Sequence, residues 1–185
     1  MKESNDIARQ YNIMSIGVAI DLEGEHQQSL TTCDGLIKYK EGLRLARQDH
    51  IQKLSNLPII NTGGYGSAEE LFISITSMKL HENPLTPVIL LDPNGLWEHA
   101  RQQIIKISQK NYGPVFTPHL IKSCRNAQEA MDELSLFLTH PDMWYKNNNI
   151  PRKNIEQARQ KSIRIRKKLL RQDVIEVFDT PMVPF

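Results

Sequence analysis

Residues 58–71 read Pro-Ile-Ile-Asn-Thr-Gly-Gly-Tyr-Gly-Ser-Ala-Glu-Glu-Leu, and the predicted fold is built outward from this stretch. An apolar run stops at three glycines within four positions, Gly63, Gly64 and Gly66. A helical pattern follows at once, and its apolar side comprises Leu71, Phe72, Ile75 and Met78. A strand, a glycine turn and a helix in this order place bare backbone N–H groups at the carboxyl edge of a sheet, where they suit a phosphate.

The glycine spacing matches neither of the two common phosphate-binding fingerprints. The lysine of the Walker loop is missing, and the three glycines do not have the dinucleotide-binding spacing. A plain turn therefore stays open as the alternative to an anion site, and the surrounding residues have to decide between the two.

Composition limits the class of protein. A chain of 185 residues is long enough for one domain with a sizeable core. No apolar stretch is long enough to cross a bilayer and residues 1–6 have no signal-peptide character, so we expect a cytoplasmic protein without membrane contact. Cys33 and Cys124 have no ligand-like spacing and are expected to be reduced thiols. The six histidines form no metal-binding pair, so the sequence predicts neither a metal nor a cofactor.

The rest of the chain predicts strands that alternate with helices. The predicted strands are residues 15–20, 57–61, 87–92 and 119–123, and the predicted helices are an N-terminal piece near 7–11 and residues 37–55, 67–80, 97–108 and 126–138. Residues 21–34 are polar and are expected to form a surface loop. Alternation of this kind favours right-handed crossovers and a mostly parallel sheet, and therefore an α/β fold.

A change of composition near residues 147–151 predicts a boundary between a body, 1–140, and a C-terminal part, 141–185, made of a linker, a basic helix and a loose tail. Residues 151–171 carry nine Lys or Arg against one Glu, about +8, which leaves the rest near −6 within a net charge of +2. This basic segment has helical apolar spacing and no interleaved aromatics. Packing along the acidic body or across a dimer interface is therefore favoured over contact with nucleic acid.

Arg47 is the second residue of interest. On the predicted helix before the glycine turn it falls inside an apolar stripe of Leu43, Ala46, His50, Ile51 and Leu54. A buried guanidinium is costly unless an anion meets it. About 12 Å of helix from Arg47 to residue 55 and about 16 Å of returning strand bring Arg47 nearly level with the glycine turn. The alternatives are a side chain that reaches water, or one that pairs with Asp49 or Glu41.

Two carboxylates near this edge each have two interpretations. Ser67 to Glu70 fits a capping box, with Ser67 as the N-cap. Glu70 alternatively lies beside a bound phosphate, where it stabilises a cationic sugar or activates a water, with Glu69 as the less favoured candidate. Asp92, at the carboxyl end of its predicted strand, is either a substrate contact or a helix-start residue, and its turn sequence favours the second role.

Together these residues resemble the LOG (LONELY GUY) family of phosphoribohydrolases, once called lysine decarboxylases. The family pattern is Pro-Gly-Gly-x-Gly-Thr-x-x-Glu with an upstream Arg, and this chain has Arg47 placed 23 residues before Glu70 in a matching pattern. The resemblance covers roughly residues 8–138 and implies a Rossmann-like sheet flanked by helices. It implies Arg47 and Glu70 as the catalytic pair, and a phosphate-binding loop formed by Gly63, Gly64, Gly66 and Ser67.

The activity implied by the resemblance is hydrolysis of the N-glycosidic bond of a nucleoside 5′-monophosphate, AMP or a cytokinin riboside monophosphate, to free base and ribose 5-phosphate. Glu70 would offset positive charge at the anomeric carbon, and Arg47 would hold phosphate or ribose hydroxyls. Tyr65 and Thr62 are candidate substrate contacts, although a solvent-facing role for Tyr65 is the alternative. The resemblance also implies a homodimer.

Several departures from the family pattern qualify this reading. Thr62 stands where the family has Pro, whereas Ser67 in the Thr place keeps the hydroxyl. The family has a first strand and a further glycine-rich turn before the strand that resembles residues 15–20, so an N-terminally shortened fold is expected. We therefore keep a second hypothesis, a non-catalytic nucleotide-binding module of the same fold. No lysine has a recognisable pyridoxal context, so decarboxylation has no support.

Overall fold

The computed structural model describes residues 2–20, 33–40 and 42–172. In this part of the chain the strands are β1 Ile16–Ile20, β2 Gly35–Tyr39, β3 Ile59–Asn61, β4 Val88–Leu91 and β5 Ile121–Cys124. The helices are α1 Lys2–Gln10, α2 Arg44–Leu54, α3 Tyr65–Lys79, α4 Glu98–Gln109, α5 Thr117–Leu120, α6 Ala127–Thr139, α7 Pro141–Asn147 and α8 Arg152–Gln172. Strands alternate with helices, so the α/β prediction is confirmed.

All pairings between these strands are parallel, and the strands form two sheets. One sheet contains β1 and β2, and the other has the order β3–β4–β5. In the second sheet Asn61 lies opposite Leu91, and Leu91 lies opposite Cys124, so the carboxyl ends of the three strands meet at one edge. Helices flank the strands, which agrees with the predicted Rossmann-like architecture.

The main core surrounds β4. Val88, Ile89 and Leu90 are completely buried, as expected for a parallel strand that is covered on both faces. Val88 and Leu90 join a cluster that includes Leu71 of α3 and Trp144 of α7, whereas Ile89 belongs to a second cluster with Leu134 of α6. Parts of the C-terminal region thus share the core of the body, whereas the predicted division at residue 140 stays a prediction.

The structure corrects three predicted elements. Residues 35–39 form strand β2, whereas the predicted helix begins at residue 37; the observed helix α2 begins at Arg44. Residues 117–120 form the short helix α5 directly before β5, and residues 141–147 form α7 where only a linker was expected. Most of the predicted loop 21–34 and the whole tail 179–185 lie outside the described residues.

The predicted apolar stripe is not the buried side of α2. Leu43 and Leu54 are each about half exposed, whereas Gln48 and Gln52 are buried. These two glutamines are four residues apart and lie on the side of α2 that faces α3, where Gln52 Nε2 donates to Ser74 Oγ at 3.1 Å. Helix α2 therefore packs through amide side chains, which an apolar pattern does not reveal.

Candidate functional site

The glycine turn lies at the carboxyl edge of the three-stranded sheet, as predicted. Strand β3 ends at Asn61, and α3 begins at Tyr65 with Gly64 as its N-cap. The N–H of Ala68 is the first to bond back along the helix, to the oxygen of Gly64 at 3.2 Å. The amides from Gly64 to Ser67 precede this bond, so they have no acceptor within the helix ladder.

The three glycines of the turn differ in whether a side chain would fit at their positions. A Cβ on Gly63 would overlap Ser67 Oγ and lie 3.0 Å from Ser67 Cβ, so this position needs glycine for close packing. A Cβ on Gly64 or Gly66 would meet nothing within 4 Å. Gly66 also lies in the first turn of α3, where glycine is unfavourable by roughly 1 kcal/mol relative to alanine. Packing therefore does not explain Gly64 and Gly66, and they leave the backbone N–H groups bare.

The capping-box interpretation of Ser67 is wrong. Ser67 is the third residue of α3, and no side chain caps the helix at Gly64. The helix begins two residues earlier than predicted because glycine at 66 does not stop it. Glu70 is therefore not the second member of a capping box. Its surroundings have to indicate its role.

Glu70 lies in the second turn of α3 and is half-buried. Burial raises the pKa of the Glu70 carboxyl, the positive charge of Arg47 acts in the opposite direction, and the negative charge of Glu69 adds to the rise. Arg47 and Glu70 are therefore close enough to interact electrostatically. No ion pair joins these two residues, both of which lie in the described part of the chain.

Arg47 is half-buried and projects from α2 toward β1. Its Nε donates to the backbone oxygen of Val18 at 3.1 Å, and one terminal nitrogen lies 3.5 Å from Gln48 Oε1. The guanidinium thus lies between the first sheet and the neighbourhood of Glu70. The sequence did not indicate Val18 or Gln48 as partners, because a backbone acceptor and an amide carry no distinctive pattern.

The neighbouring candidates have other surroundings. Glu69 forms an ion pair with Arg44, which joins α3 to α2. Tyr65 is 97% exposed, which agrees with the solvent-facing alternative. Thr62 is exposed as well, directly before the glycines.

Asp92 starts a helix, as favoured from its turn sequence. Its Oδ2 accepts a hydrogen bond from the N–H of Trp97 at 3.2 Å, immediately before α4. Its other oxygen, Oδ1, is buried without a partner among the described residues. Because Asn61 lies opposite Leu91 in the sheet, Asp92 follows β4 where Thr62 follows β3.

The order in which the chain forms its strands reverses direction near this edge. The chain passes from β1 to its neighbour β2, returns through α2 to β3, and then moves away through β4 to β5. In parallel α/β folds, ligands bind at the carboxyl edge where this progression reverses. Here the reversal falls between β1 and β3, and α2 contacts both β1 and α3. Arg47 and the glycine turn lie on the two sides of that position.

An open groove of about 380 Å³ lies between α2 and α3. Its lining includes Leu45, Gln48, Phe72 and Glu69, and none of the turn glycines. The glycine turn is therefore not part of the lining of this groove.

The described residues contain neither a cluster of metal-ligand side chains nor a membrane-spanning helix. In residues 2–20, 33–40 and 42–172 no three His, Cys, Asp or Glu side chains are grouped as metal ligands would be. Within the same residues no helix is both long and apolar enough to span a membrane. Cys33 and Cys124 are not joined by a disulfide bond.

Comparison with known proteins supplies the family. No curated protein matches the chain closely enough to count as a relative. A family model described as possible lysine decarboxylase matches residues 1–134, which include Arg47, the glycine turn and Glu70. This is the family of the LOG proteins, and it is related to cytokinin-activating phosphoribohydrolases. The match covers well over half of the chain, and the protein therefore belongs to the LOG family.

Proposed function

We propose that this protein hydrolyses the N-glycosidic bond of a nucleoside 5′-monophosphate, AMP or a cytokinin riboside monophosphate. Water adds across the bond, so the products are the free base and ribose 5-phosphate. No cofactor or metal is needed for this reaction, because a cationic sugar is stabilised by a fixed carboxylate. We expect the reaction in the cytoplasm.

The environment of Glu70 carries this proposal. A half-buried carboxylate one helical turn after a run of unpaired amides has no packing partner that explains it, and burial has raised its pKa. Arg47 acts on the same carboxylate from α2. A carboxylate, a guanidinium and an anion-binding turn within one neighbourhood are the groups that cleavage of a nucleotide requires.

Each group has a chemical role in the proposal. The amides of Gly64, Gly66 and Ser67 hold the 5′-phosphate, helped by the positive end of the α3 dipole. Gly63 allows Ser67 to pack closely under the turn. Glu70 stabilises the positive charge that develops at the anomeric carbon as the base leaves, and Arg47 holds phosphate or ribose hydroxyls. Tyr65 and Thr62, both exposed at the turn, are candidate contacts of the substrate.

The test is release of adenine from AMP by the purified protein, measured by chromatography. We expect Glu70→Gln to lose at least about 100-fold in rate, as typical for removal of a positioned catalytic carboxylate. Glu69→Gln is the matched control, because it makes the same chemical change one residue away and removes only the ion pair with Arg44. Thermal melting of both variants checks the fold. Normal turnover by Glu70→Gln would remove the proposed role.

The second candidate is a nucleotide-binding module without catalysis, and the position of Arg47 favours it. Its Nε donates to Val18 and one terminal nitrogen donates to Gln48, so these donors are already engaged within the chain. A module would bind AMP, as measured by calorimetry, but would release no adenine. Binding that disappears in Gly64→Asp and persists in Glu70→Gln, without turnover by the wild type, would support the module.

A further inference from the structure

Helix α8 has one side packed against the body and the other side in solvent. Ala158 is completely buried, and Ser162 is 4% exposed. Ala158 belongs to the main core cluster, and Ile155 packs against that cluster. These three positions lie within about 60° of one another around the helix axis. The packing therefore determines which residues of α8 face outward.

The outward side of α8 presents hydrogen-bond donors over an arc of about 100°. We call this side the donor stripe, and it comprises Lys153, Gln157, Gln160, Lys161 and Arg164, all of which are exposed. The stripe contains no acidic and no apolar residue. Lysine and arginine side chains are donors only, and each glutamine amide contributes two further N–H groups. The stripe is therefore suited to acceptor groups that carry negative charge.

The sequence continues the spacing of the donor stripe toward the end of α8. Lys168 and Arg171 follow Arg164 at intervals of four and three residues, and both lie within α8, Arg152–Gln172. From Lys153 to Arg171 the helix rises about 27 Å. A row of positive charges of this length matches an extended polyanion better than a single small anion.

The cations of the donor stripe are not neutralised by the described part of the chain. Arg152 pairs with Glu156 of the same helix, and both lie outside the stripe. Lys153, Lys161 and Arg164 form no ion pair with any residue that the structure describes. The sequence favoured packing of this segment along the acidic body. Helix α8 does pack on the body, but through its uncharged side, so these three charges stay in solvent.

Three features of α8 narrow the class of polyanion. A helix that binds a lipid surface inserts its apolar side, and here that side is buried against the body. Protein interfaces have an apolar core, which the donor stripe lacks. Single-stranded nucleic acids are held largely by bases stacked on aromatic rings, and α8 contains no aromatic residue. The phosphate backbone of a duplex fits best, because cations and amide donors contact it whatever the base sequence.

We propose that the donor stripe binds the phosphate backbone of double-stranded nucleic acid without reading its sequence. Lys153, Lys161 and Arg164 pair with phosphates, and Gln157 and Gln160 donate to phosphate oxygens between them. Contacts of this kind release counterions from the duplex, so binding weakens as the salt concentration rises. The proposal does not rest on the proposed hydrolysis, because the stripe shares no residue with the candidate site.

Fluorescence anisotropy of a labelled DNA duplex of about 20 base pairs tests the binding. The stripe spans about eight base pairs at roughly 3.4 Å each, so this probe is long enough. We expect a roughly micromolar dissociation constant at low salt. The logarithm of the association constant should fall with that of the salt concentration with a slope of at least about 2.7, since each of three cations contributes about 0.9. No binding at low salt, or a slope near zero, would overturn the proposal.

A double variant locates the binding on α8. We expect Lys161→Gln with Arg164→Gln to bind at least about tenfold more weakly and to reduce the slope by about 1.8, because two phosphate contacts are lost. The matched control is Lys106→Gln with Lys110→Gln, which removes the same charge from two exposed lysines at α4. It should bind within about twofold of the wild type. Melting curves check the fold of both, and equal weakening in the two double variants would overturn the assignment to α8.

Further measurements identify the occupant and its place. Vesicles containing phosphatidylserine should not bind the protein at the salt concentration at which the duplex does, and binding to vesicles alone would overturn the proposal. Gly64→Asp adds a negative charge at the glycine turn and should bind the duplex as the wild type does. A loss of duplex binding in that variant would place the duplex at the turn instead. Duplexes of unrelated sequence should bind equally tightly, and a preference above about tenfold would contradict binding through phosphates alone.

Discussion

Glu70 is the residue at which stability and proposed activity are in conflict. Burial raises its pKa above the ordinary value of 4.5, so the folded protein holds this proton more tightly than the unfolded chain does. Between the two pKa values the folded state binds more protons, and the free energy of unfolding therefore falls as the pH rises through that window. Ionisation of the Glu70 carboxyl therefore lowers the free energy of unfolding.

Glu70→Gln is accordingly expected to melt at a higher temperature than the wild type at pH 7. The difference should close as the pH is lowered below about 4.5, where the carboxyl is neutral in both folded and unfolded wild type. Calorimetric melting across this pH range measures it. Glu69→Gln should bring no such gain, because Glu69 is paired with Arg44. A Glu70 variant that is less stable than the wild type at neutral pH would contradict the expected sign.

Gly63 gives a second test at the scale of one residue. We expect Gly63→Ala to lose about 1–3 kcal/mol of unfolding free energy, because the added Cβ overlaps Ser67 Oγ. Gly64→Ala is the control and should lose much less, since its Cβ would meet nothing within 4 Å. Urea denaturation measures both. If combining Gly63→Ala with Ser67→Ala recovers none of the loss, the crowding between the two residues is not its cause.

At the scale of elements, the start of α4 distinguishes the two roles of Asp92. Asp92→Ala leaves the buried N–H of Trp97 without its acceptor, so we expect a loss of about 1–3 kcal/mol in urea denaturation. Asp92→Asn keeps an acceptor oxygen and should lose less than half as much. If Asp92 only starts the helix, adenine release per folded molecule is unchanged in both variants. A reduced rate in the stable Asn variant would make Asp92 a substrate contact.

The elements differ in how far the sequence could predict them. Strand β4 and helix α3 were predictable, because a continuous apolar run and a helical apolar face are strong local signals. Strand β2 was not, since Gly35–Tyr39 is short, contains Lys38 and runs almost directly into a helix. The sequence also did not indicate which side of α2 is buried. Its contact with α3 is made by Gln48 and Gln52, which carry no apolar periodicity.

At the candidate site, the place of the glycine turn at the sheet edge followed from local spacing. The immediate partners did not. The hydrogen bond of Arg47 to Val18 joins residues 29 positions apart, on two different elements. The separation of five strands into two sheets is likewise a nonlocal pairing that no window of sequence contains.

At the scale of the whole molecule, Trp144 joins the C-terminal helices to the body. It is completely buried in the cluster that contains Leu71 and Leu90. Its Nε1 donates to Glu133 at 2.8 Å, and its ring packs edge-on against Phe137 at 5.3 Å between centroids. We expect Trp144→Ala to lose about 3–5 kcal/mol, a large part of the stability of a domain this size. Trp144→Phe keeps the ring packing and should lose less.

The same packing predicts what happens when the chain is cut at the predicted boundary. Residues 1–140 alone would lack Trp144, Ile150 and Ala158, all of which are buried in the main cluster. We therefore expect this fragment to unfold at a much lower urea concentration than the full chain, and the full chain to unfold in one transition because both parts share a core. Circular dichroism and tryptophan fluorescence should follow the same curve. A fragment as stable as the full chain, or two separated transitions, would instead make residues 141–185 an independent appendage.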